Sequence, residues 1–461
     1  DNDMMDLNFI LNSTNGTLIS GNPDSVFSGV STDTRTITKD ELFFALKGDN
    51  FNGQDFIEEA FNNGATGAVI EGSQTQEVNG KALIQVPSTI KALGDLASSW
   101  RMSFPDLKVA AITGSNGKTT TKEMTWSIVS LKHNTLKNTG NFNNLIGLPL
   151  TLFELNKDYS AAVVEVGMND FGELKRLSEI ARPDIGAITN IGHAHLEKLG
   201  GLDGVAKAKG ELVENFSEDN VFVVNLDDPR VKRISDNLNC QKVTFGINSE
   251  DAMIRAQDIE SNDLSNMTFN MIISGEVLPI KMKGIGLHNV LNSLCAAGIA
   301  LSLGCDSAQI RQGLSNYTPT NMRLQVLDTS DGFKIINDAY NANPDSMRRA
   351  IDELVRLKGT GKTVAVLGDM LELGEGSDKE HYELGKYVSN EGVDHLISFG
   401  TFSSKTLEGY GNSQSGLPAQ THQQAAKLLM ELANPGDLVL VKGSRGSRME
   451  QVIKEIVKEQ G

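Results

Sequence analysis

Strand-like apolar runs and helix-like amphipathic stretches alternate along most of the 461-residue chain. In its middle third the apolar runs lie at 109–112, 161–166, 184–189 and 221–224, with helical patterns between them. This alternation predicts a parallel sheet with helices on its faces. Ligands bind such sheets at the carboxyl ends of the strands, so polar residues that follow these runs are the first candidates for a site.

The rest of the chain also alternates strands and helices. Residues 260–283 alternate apolar and polar positions, which predicts two or three antiparallel strands. A small N-terminal α/β module is predicted from a helical stretch at 54–63 and from strand signals at 16–19, 42–46 and 67–70. After a segment rich in Tyr, Thr, Pro and Asn at 316–321, further strands are predicted at 332–337, 363–367, 395–398 and 438–441.

The length exceeds what one hydrophobic core usually supports, since domains of about 150 residues are common. With 316–321 read as a linker, the chain is expected to form three domains at residues 1–100, 101–318 and 319–461. Hydrophobic residues make up 39% and charged residues 22% of the chain, which is ordinary for a globular protein. Disorder is therefore not indicated.

Charge and cysteine usage narrow the possible functions. The net charge of −17 argues against nucleic-acid binding, because phosphate backbones are bound by a surplus of Lys and Arg. Cys240, Cys295 and Cys305 form no CxxC pair and are odd in number, which favours a reducing compartment, with the cytoplasm as the default, and no zinc knuckle. No apolar stretch reaches about 18 residues and no export signal is recognised, so no membrane span is expected. Nothing demands more than a monomer.

The segment 113–123 follows the first apolar run of the middle third and reads as strand, glycine loop and helix start. Such a loop holds phosphate, because glycines let backbone N–H groups converge on an anion and the helix presents its positive end. Lys118 adds positive charge, and the hydroxyl of Thr119 can ligate Mg²⁺. The candidate residues are Gly114, Asn116, Gly117, Lys118, Thr119 and Thr120. Ile112 occupies a position where the usual pattern has glycine, and a glycine-rich turn with an incidental lysine is the alternative.

Two further polar clusters follow strands of the predicted sheet. Glu165 closes an apolar run, and 190–195 follows the next one. A carboxylate and an imidazole beside a triphosphate suggest a second cation. His195 taken alone is more often an ordinary loop histidine, and His193 competes with it. On the amphipathic helix predicted at 204–215, both Lys207 and Lys209 would ordinarily be solvated.

The helix that begins near residue 287 places His288 and Asn292 on one face. Asparagine amides suit a purine edge because they both donate and accept hydrogen bonds, and Asn289 lies on a neighbouring position. N-capping is the simpler explanation for Asn289. The loops 31–35 and 47–53 carry hydroxyls, an arginine and a lysine, and a solvated loop is as plausible there as a ligand site.

In the last third, three strands end in polar residues at 338–344, 368–374 and 442–445. No glycine fingerprint accompanies them, so a dinucleotide site is not supported.

These clusters, in this order, resemble the Mur ligases, the ATP-dependent amide-forming enzymes of bacterial cell-wall precursor synthesis. The resemblance runs nearly end to end and is carried by segments 113–123, 138–149, 165–167 and 189–196. Segments 338–344 and 367–374 resemble the member that adds D-alanyl-D-alanine to a UDP-linked muramoyl tripeptide. The Asp-Asn-Pro-Arg motif of the diaminopimelate-adding member is not found in the third domain.

The resemblance implies a three-domain α/β fold. A central P-loop ATPase-like parallel sheet would be flanked by a small N-terminal α/β domain that holds UDP-N-acetylmuramoyl-tripeptide and by a C-terminal Rossmann-like domain that supplies D-alanyl-D-alanine. It implies ATP and Mg²⁺ as cofactors and a reaction through an acyl phosphate that releases ADP and phosphate.

The resemblance also implies site residues. The catalytic residues would be Lys118, Glu165, His195 and Lys209. The metal ligands would be Thr119, Glu165, His195 and, if carbamylated, Lys209; that modification cannot be read from sequence. Besides the phosphate loop, the nucleotide would contact His288, Asn289, Asn292, Arg323 and Asp338. The other substrates would contact Ser31, Thr34, Arg35, Lys47, Asn52, Asn143, Asn144, Tyr340, Asn341, Asn343 and Ser444.

Three alternatives remain open on residue chemistry. A folylpolyglutamate-type ligase uses similar loops on a different carboxylate and differs in its choice of amine. A nucleotide-dependent switch or motor would release phosphate without both organic substrates. A pure binding module is the weakest option, because it leaves Glu165, His195 and Asp338 without a task.

Overall fold

The computed structural model describes residues 4–72, 78, 80–261 and 263–459. The chain divides into two units. Unit 1 comprises Asp1–Ile112, Lys132–Gly186 and Glu211–Asn220, and unit 2 comprises Thr113–Leu131, Ala187–Gly210 and Val221–Gly461.

The N-terminal part of unit 1 is a small α/β module. Its elements are β1 (Met5–Asp6), α1 (Leu7–Thr14), β2 (Thr17–Ser20), β3 (Val26–Phe27), β4 (Gly29–Ser31), β5 (Glu41–Phe44), β6 (Lys47–Gly48), β7 (Phe51–Asn52), α2 (Ile57–Asn62), β8 (Gly67–Glu71), β9 (Ala82–Val86) and α3 (Thr89–Met102). The sheet order is β2-β9-β8-β5-β4, with only the β2–β9 pair antiparallel among these described strands.

The three strands expected in this module are confirmed as β2, β5 and β8. The helical stretch expected at 54–63 is a 3-10 turn at Gly53–Phe56 followed by α2. Strand β9 and helix α3 were not predicted, although Ser88 caps α3 by accepting a hydrogen bond from the Lys91 backbone N–H at 3.2 Å.

The middle of the chain contributes to both units. Its elements are β10 (Lys108–Thr113), α4 (Lys118–Val129), β11 (Thr135–Lys137), α5 (Gly147–Leu152), β12 (Ala161–Glu165), α6 (Glu173–Ala181), β13 (Ile185–Ile188), α7 (Leu196–Leu199), α8 (Leu202–Gly210), β14 (Val221–Asn225), α9 (Pro229–Asp236), β15 (Gln241–Gly246), β16 (Ile254–Ser261), β17 (Asn266–Ile273), β18 (Glu276–Lys283), α10 (Leu287–Ser302) and α11 (Ser307–Asn316).

The pairing of these strands follows the sequence pattern. Within unit 1, β12 pairs in parallel with β11 and β10. Within unit 2, β14, β15 and β16 are parallel, whereas β16, β17 and β18 form antiparallel pairs. The antiparallel prediction for 260–283 is therefore confirmed, although its first strand begins earlier, at Ile254.

The helix predicted at 204–215 ends at Gly210, so its C-terminal part was wrong. The next residue, Glu211, belongs to unit 1, where its carboxylate accepts two hydrogen bonds of 3.0 Å from the Gly172 backbone N–H at the start of α6. A carboxylate at a helix N-terminus is favourable because that end carries partial positive charge.

Unit 1 also contains a buried arginine that links three of its elements. Arg101 on α3 donates to the carbonyl oxygens of Ala181 and Arg182, each at 3.0 Å, and to Asp184 at 3.1 Å. Asp184 in turn accepts from the Val109 backbone N–H at 2.9 Å. Burial lowers the pKa of Arg101, and the hydrogen bonds compensate for that burial.

The last third is a doubly wound sheet. Its elements are β19 (Gln325–Asp328), β20 (Lys334–Asp338), α12 (Pro344–Leu357), β21 (Thr363–Leu367), α13 (Ser377–Asn390), β22 (His395–Phe399), α14 (Ser403–Tyr410), β23 (Gly416–Ala419), α15 (His422–Leu432), β24 (Leu438–Lys442) and α16 (Glu450–Glu459). The order is β19-β20-β24-β21-β22-β23, antiparallel at β19–β20 and parallel elsewhere among these strands.

Alternate residues of each strand pack on opposite faces of this sheet. On β21, Ala365 and Leu367 pack with α12 and α13, whereas Val364 and Val366 pack with α15 and α16. The four strands predicted in this region are confirmed within about two residues at each end. Within the described part of the chain, no helix has the length and apolarity needed to cross a bilayer.

Candidate active site

The loop between β10 and α4 requires glycine at two positions. Gly114 has φ +148° and Gly117 has φ +83°. A Cβ atom on Gly114 would lie 1.8 Å from the Thr189 hydroxyl oxygen, and one on Gly117 would lie 2.5 Å from the side-chain oxygen of Asn292. Both positions therefore exclude side chains for reasons of backbone conformation and of space.

The loop is held by the residues that follow β13. The Ser115 backbone N–H donates to the Asn190 carbonyl, and the Asn116 backbone N–H donates to the Asn190 side-chain oxygen, both at 3.0 Å. The Thr189 hydroxyl and the Asn190 amide both donate to the Asn116 carbonyl. Lys118 donates from Nζ to the Gly114 carbonyl at 3.0 Å. The backbone of this glycine-rich loop is thus fixed by hydrogen bonds to Thr189, Asn190 and Lys118.

Residues of the last third reach this loop. Arg323 donates to the Thr119 hydroxyl at 3.1 Å, and its guanidinium lies 4.0 Å from the centroid of the Tyr340 ring. Asp338 accepts from the Leu324 backbone N–H at 3.1 Å and from Lys442 Nζ at 2.7 Å. Asp338 is thereby fixed on the strand that precedes α12.

Helix α10 forms one wall of a cavity of about 390 Å³. The lining includes Asn116 and Gly117 from the phosphate loop, His288 and Asn292 from α10, and Arg349 from α12. The glycine-rich loop and the amide and imidazole groups of α10 thus line one cavity, and these groups suit the phosphates and the base of a nucleotide.

The start of α10 has no side-chain cap of its own, because its N-cap is Gly286 with φ +100°. Glu353 on α12 supplies one, accepting from the Leu287 backbone N–H at 3.3 Å. The N-capping explanation for Asn289 was wrong, since its amide donates to the Ile285 carbonyl at 2.6 Å. Burial, and then the positive charge of Arg349, lowers the pKa of His288 to about 4.

Both histidines of the segment 190–195 contact carboxylates of the last third. His193 contacts Asp345 through its backbone N–H at 2.6 Å and through Nδ1 at 2.9 Å. His195 contacts Glu372 through Nδ1 at 3.0 Å. The sequence pattern identified both histidines, but it assigned no role to either carboxylate.

In unit 1, Glu165 is buried at the end of β12. Its side-chain oxygen accepts from the Asn143 amide at 3.1 Å. Asn138 fixes the Glu165 backbone from both sides, accepting from its N–H at 2.9 Å and donating to its carbonyl at 2.8 Å. The side chain of Asn144 contacts its own segment, accepting hydrogen bonds from the Ile146 and Gly147 backbone N–H groups at the start of α5.

The N-terminal loops separate into two groups. Lys47 and Asn52 line a cavity of about 260 Å³, together with Gln54 and Glu71. Ser31, Thr34 and Arg35 do not appear in that lining. In this second group, the Ser31 hydroxyl donates to the Asp33 carbonyl at 3.0 Å, and the Thr34 carbonyl accepts from the Asn63 side-chain amide at 2.9 Å. Hydrogen bonds from the exposed Arg35 lower the pKa of Asp33.

The remaining candidates lie on or near the last sheet. The Asn341 carbonyl accepts from Lys442 at 2.9 Å, and the Asn343 amide donates to the Asn116 side chain at 2.7 Å. Ser444 is buried, and its backbone N–H donates to the Asp369 carbonyl at 2.8 Å.

Lys209 on α8 is fully buried, whereas Lys207 is exposed as expected. Among the described residues, no three His, Cys, Asp or Glu side chains group closely enough to hold a metal ion. A cation here would therefore need oxygen atoms from a bound phosphate, which is how Mg²⁺ commonly binds in nucleotide enzymes.

A glycine-rich loop between a strand and a helix, beside a cavity lined by amide and imidazole groups, is the arrangement of a nucleotide-binding protein on an α/β scaffold. Family models match most of the chain: the Mur ligase family catalytic domain at 26–101, the Mur ligase middle domain at 112–300, and the Mur ligase glutamate ligase domain at 322–445. The chain belongs to the Mur ligase family and is an ATP-dependent ligase.

Individual relatives agree with this assignment. The UDP-N-acetylmuramoyl-tripeptide--D-alanyl-D-alanine ligase of Bacillus subtilis is 36% identical over 437 residues, which cover 94% of each chain. A crystal structure of MurF from Acinetobacter baumannii matches with a TM-score of 0.91 at 33% identity and covers 99% of each chain. MurF ligase from Thermotoga maritima in complex with ADP matches with a TM-score of 0.83 at 28% identity, covering 94% of this chain and 97% of that one. The three-domain α/β expectation is confirmed by these matches.

Proposed function

We propose that the chain joins the amine of D-alanyl-D-alanine to the terminal carboxylate of UDP-N-acetylmuramoyl-tripeptide, with ATP as the activating substrate. The observation that carries the proposal is the phosphate loop at Gly114–Lys118 opening into the cavity beside α10. The names of the relatives that match nearly the whole chain supply the two organic substrates.

The chemistry requires activation. A carboxylate is a poor acyl donor because its leaving group would be oxide. Transfer of the γ-phosphoryl group to a carboxylate oxygen gives an acyl phosphate and ADP. The free amine then attacks the acyl carbon, the C–O bond to phosphate breaks, and the amine loses a proton. Phosphate leaves as the amide forms.

Lys118 is proposed to neutralise the β- and γ-phosphates during transfer, because a fixed cation stabilises charge that develops in the transition state. His288, Asn289 and Asn292 would recognise the adenine, with Arg323 and Asp338 completing the nucleotide site. The loops that carry Ser31, Thr34, Arg35, Lys47 and Asn52 would hold the nucleotide-sugar, and Asn143, Asn144, Tyr340, Asn341, Asn343 and Ser444 would serve the peptide substrates.

Mg²⁺ is proposed as the cofactor that binds with ATP, since it would act as a Lewis acid and offset the negative charge of the phosphates. The Thr119 hydroxyl and the Glu165 carboxylate are oxygen donors of the type that Mg²⁺ prefers, and His195 would contact a second ion. Lys209 would act as an anionic ligand after carbamylation. Lys209 is fully buried rather than solvated, and carbamylation would convert a cation that would repel Mg²⁺ into an anion that would ligate it.

The test is a coupled assay with ATP, Mg²⁺ and UDP-N-acetylmuramoyl-tripeptide. ADP should appear only when D-alanyl-D-alanine is added, and a product of the summed mass less one water should form. Glutamate in place of the dipeptide should give no turnover, whereas turnover with glutamate would favour a folylpolyglutamate-type ligase. Phosphate release without either organic substrate would favour a nucleotide-dependent switch.

A further inference from the structure

His195 and Glu372 meet in an unusual backbone arrangement. Nδ1 of His195 lies 3.0 Å from a carboxylate oxygen of Glu372. Both residues have positive φ, +58° for His195 and +61° for Glu372. Such values are uncommon for residues with a Cβ and are retained where the surroundings demand a particular side-chain direction. Two such residues facing each other therefore indicate a constrained pair.

The segments that carry the pair are also joined through the backbone. The Glu197 backbone N–H donates to the Glu372 carbonyl at 3.3 Å. Gly374 has φ +62°, and a Cβ atom there would lie 3.2 Å from Cγ of Glu197. The loop 370–374 is thus fitted closely against the start of α7.

A buried histidine secures the other end of this loop. Nε2 of His381 accepts from the Met370 backbone N–H at 3.0 Å, and its Nδ1 lies 2.6 Å from the Ser377 carbonyl. The ring stacks on Phe402 with centroids 4.6 Å apart. Because both of its ring nitrogens contact backbone groups, His381 holds the loop in one position. The backbone that carries Glu372 is therefore fixed.

The contact determines which nitrogen of His195 carries the proton. An ionised carboxylate only accepts hydrogen bonds, so Nδ1 must be the donor, and in the neutral imidazole Nε2 is then the nitrogen with the free lone pair. Histidines that ligate metals usually donate their other N–H to a carboxylate or carbonyl, which fixes both the tautomer and the ring orientation.

We propose that Glu372 is a positioning residue that holds His195 in the Nδ1–H tautomer, so that Nε2 is ready to ligate a divalent cation brought by the nucleotide. The proposal rests on the function proposed above. In this arrangement the imidazole comes from the segment after β13, while the group that selects its tautomer comes from the last third of the chain. Glu372 is largely exposed at 60%, so the pair adds little to stability and its effect is on tautomer and direction.

The first test is ¹⁵N NMR of histidine-labelled, ligand-free protein at a pH where His195 is neutral. In the unmodified chain, the His195 signals should show protonated Nδ1 and unprotonated Nε2. Glu372→Ala should shift His195 towards a mixture of tautomers, and Glu372→Gln should largely preserve the Nδ1–H form because the amide oxygen still accepts. Glu375→Ala, at an exposed acid that directly follows this loop, is the matched control and should leave the signals unchanged.

The second test measures Mn²⁺ affinity by electron paramagnetic resonance in the presence of a non-hydrolysable ATP analogue. Glu372→Ala should weaken one bound ion by about tenfold, and Glu375→Ala should not. Three results would overturn the proposal. They are an unprotonated Nδ1 of His195 in the unmodified chain, His195 signals in Glu372→Ala that are identical to those of the unmodified chain, and an unchanged Mn²⁺ affinity in Glu372→Ala. The tautomer measurement does not depend on turnover, so it can succeed even if the amide-forming assay fails.

Discussion

The side-chain amide of Asn343 donates a hydrogen bond of 2.7 Å to the side-chain oxygen of Asn116, which lies in the phosphate loop 227 positions earlier. The oxygen of the same Asn343 side chain accepts from the Ser346 backbone N–H at 2.9 Å and so caps α12. One side chain therefore sets both the start of α12 and its contact with the loop. Since α12 also carries Arg349, Asp352 and Glu353, which line the cavity beside α10, this contact aligns several groups of that cavity.

Asn343→Ser should separate these two roles, because serine caps helices well but offers no amide to Asn116. We expect a three- to tenfold fall in kcat/KM for ATP, since a hydrogen bond of this kind contributes about 1 kcal/mol. Asn116→Ala should cost a similar amount. In a double-mutant cycle, the two effects should be less than additive by about 1 kcal/mol. Fully additive losses would show that the pair does not act together. As a control, Asn390→Ala at the exposed end of α13 should leave kcat/KM for ATP unchanged.

Lys118→Ala tests the phosphate loop itself. Loss of the fixed cation should reduce acyl phosphate formation by at least about 100-fold, because a transition-state charge stabiliser of this type is worth roughly 3 kcal/mol or more. Binding of UDP-N-acetylmuramoyl-tripeptide, measured by isothermal titration calorimetry, should stay within about twofold, since the N-terminal loops are proposed to hold it. Normal turnover in Lys118→Ala would remove the phosphate-loop assignment, and exposed Lys132→Ala is the matched control.

The sequence was informative where chemistry depends on residues close together in the chain. Gly114, Gly117 and Lys118 could be proposed as a phosphate loop because a strand, a turn and a helix start are predicted within a few residues, and the structure has β10, a glycine turn and α4 at these positions. Lys207 and Lys209 lie two positions apart, about 200° around a helix. Opposite environments were possible for them, but only the fold shows that Lys209 is the buried one.

Pairings between distant residues could not be predicted. Asp345 and Glu372 look like ordinary acids of a helix start and a loop, yet each contacts a histidine of the segment 190–195. Glu353 reads as one more acid on an amphipathic helix, but it caps α10. These partners are set by how the last sheet packs against the phosphate loop, and no spacing along the chain encodes that packing.

The lowered pKa of His288 makes stability depend on pH. In the folded chain its pKa is about 4, below the ordinary value of 6.5, so the unfolded chain takes up a proton first as the pH falls. Stability should therefore be fully present above pH 6.5 and decline towards pH 4. The free energy of unfolding of the unmodified chain and of His288→Gln should be measured by urea denaturation. From pH 6.5 to pH 4, the unmodified chain should lose about 1–2 kcal/mol more than the variant, which is less than the full pKa shift would give because the ring is partly exposed. Parallel pH profiles for the two chains would contradict the shift.

Lys209→Ala addresses the proposed carbamate. If an anionic group at this buried position helps hold a cation, the variant should lose activity by about 100-fold or more, because removing a metal ligand also leaves the neighbouring charge uncompensated. Added bicarbonate should not restore activity, since alanine offers no amine to carbamylate, whereas a small carboxylate such as acetate should restore part of it by filling the space. Lys207→Ala, exposed on the same helix, should behave like the unmodified chain. Undiminished turnover in Lys209→Ala would show that the lysine is structural, and loss of activity without acetate rescue would count against an anionic role.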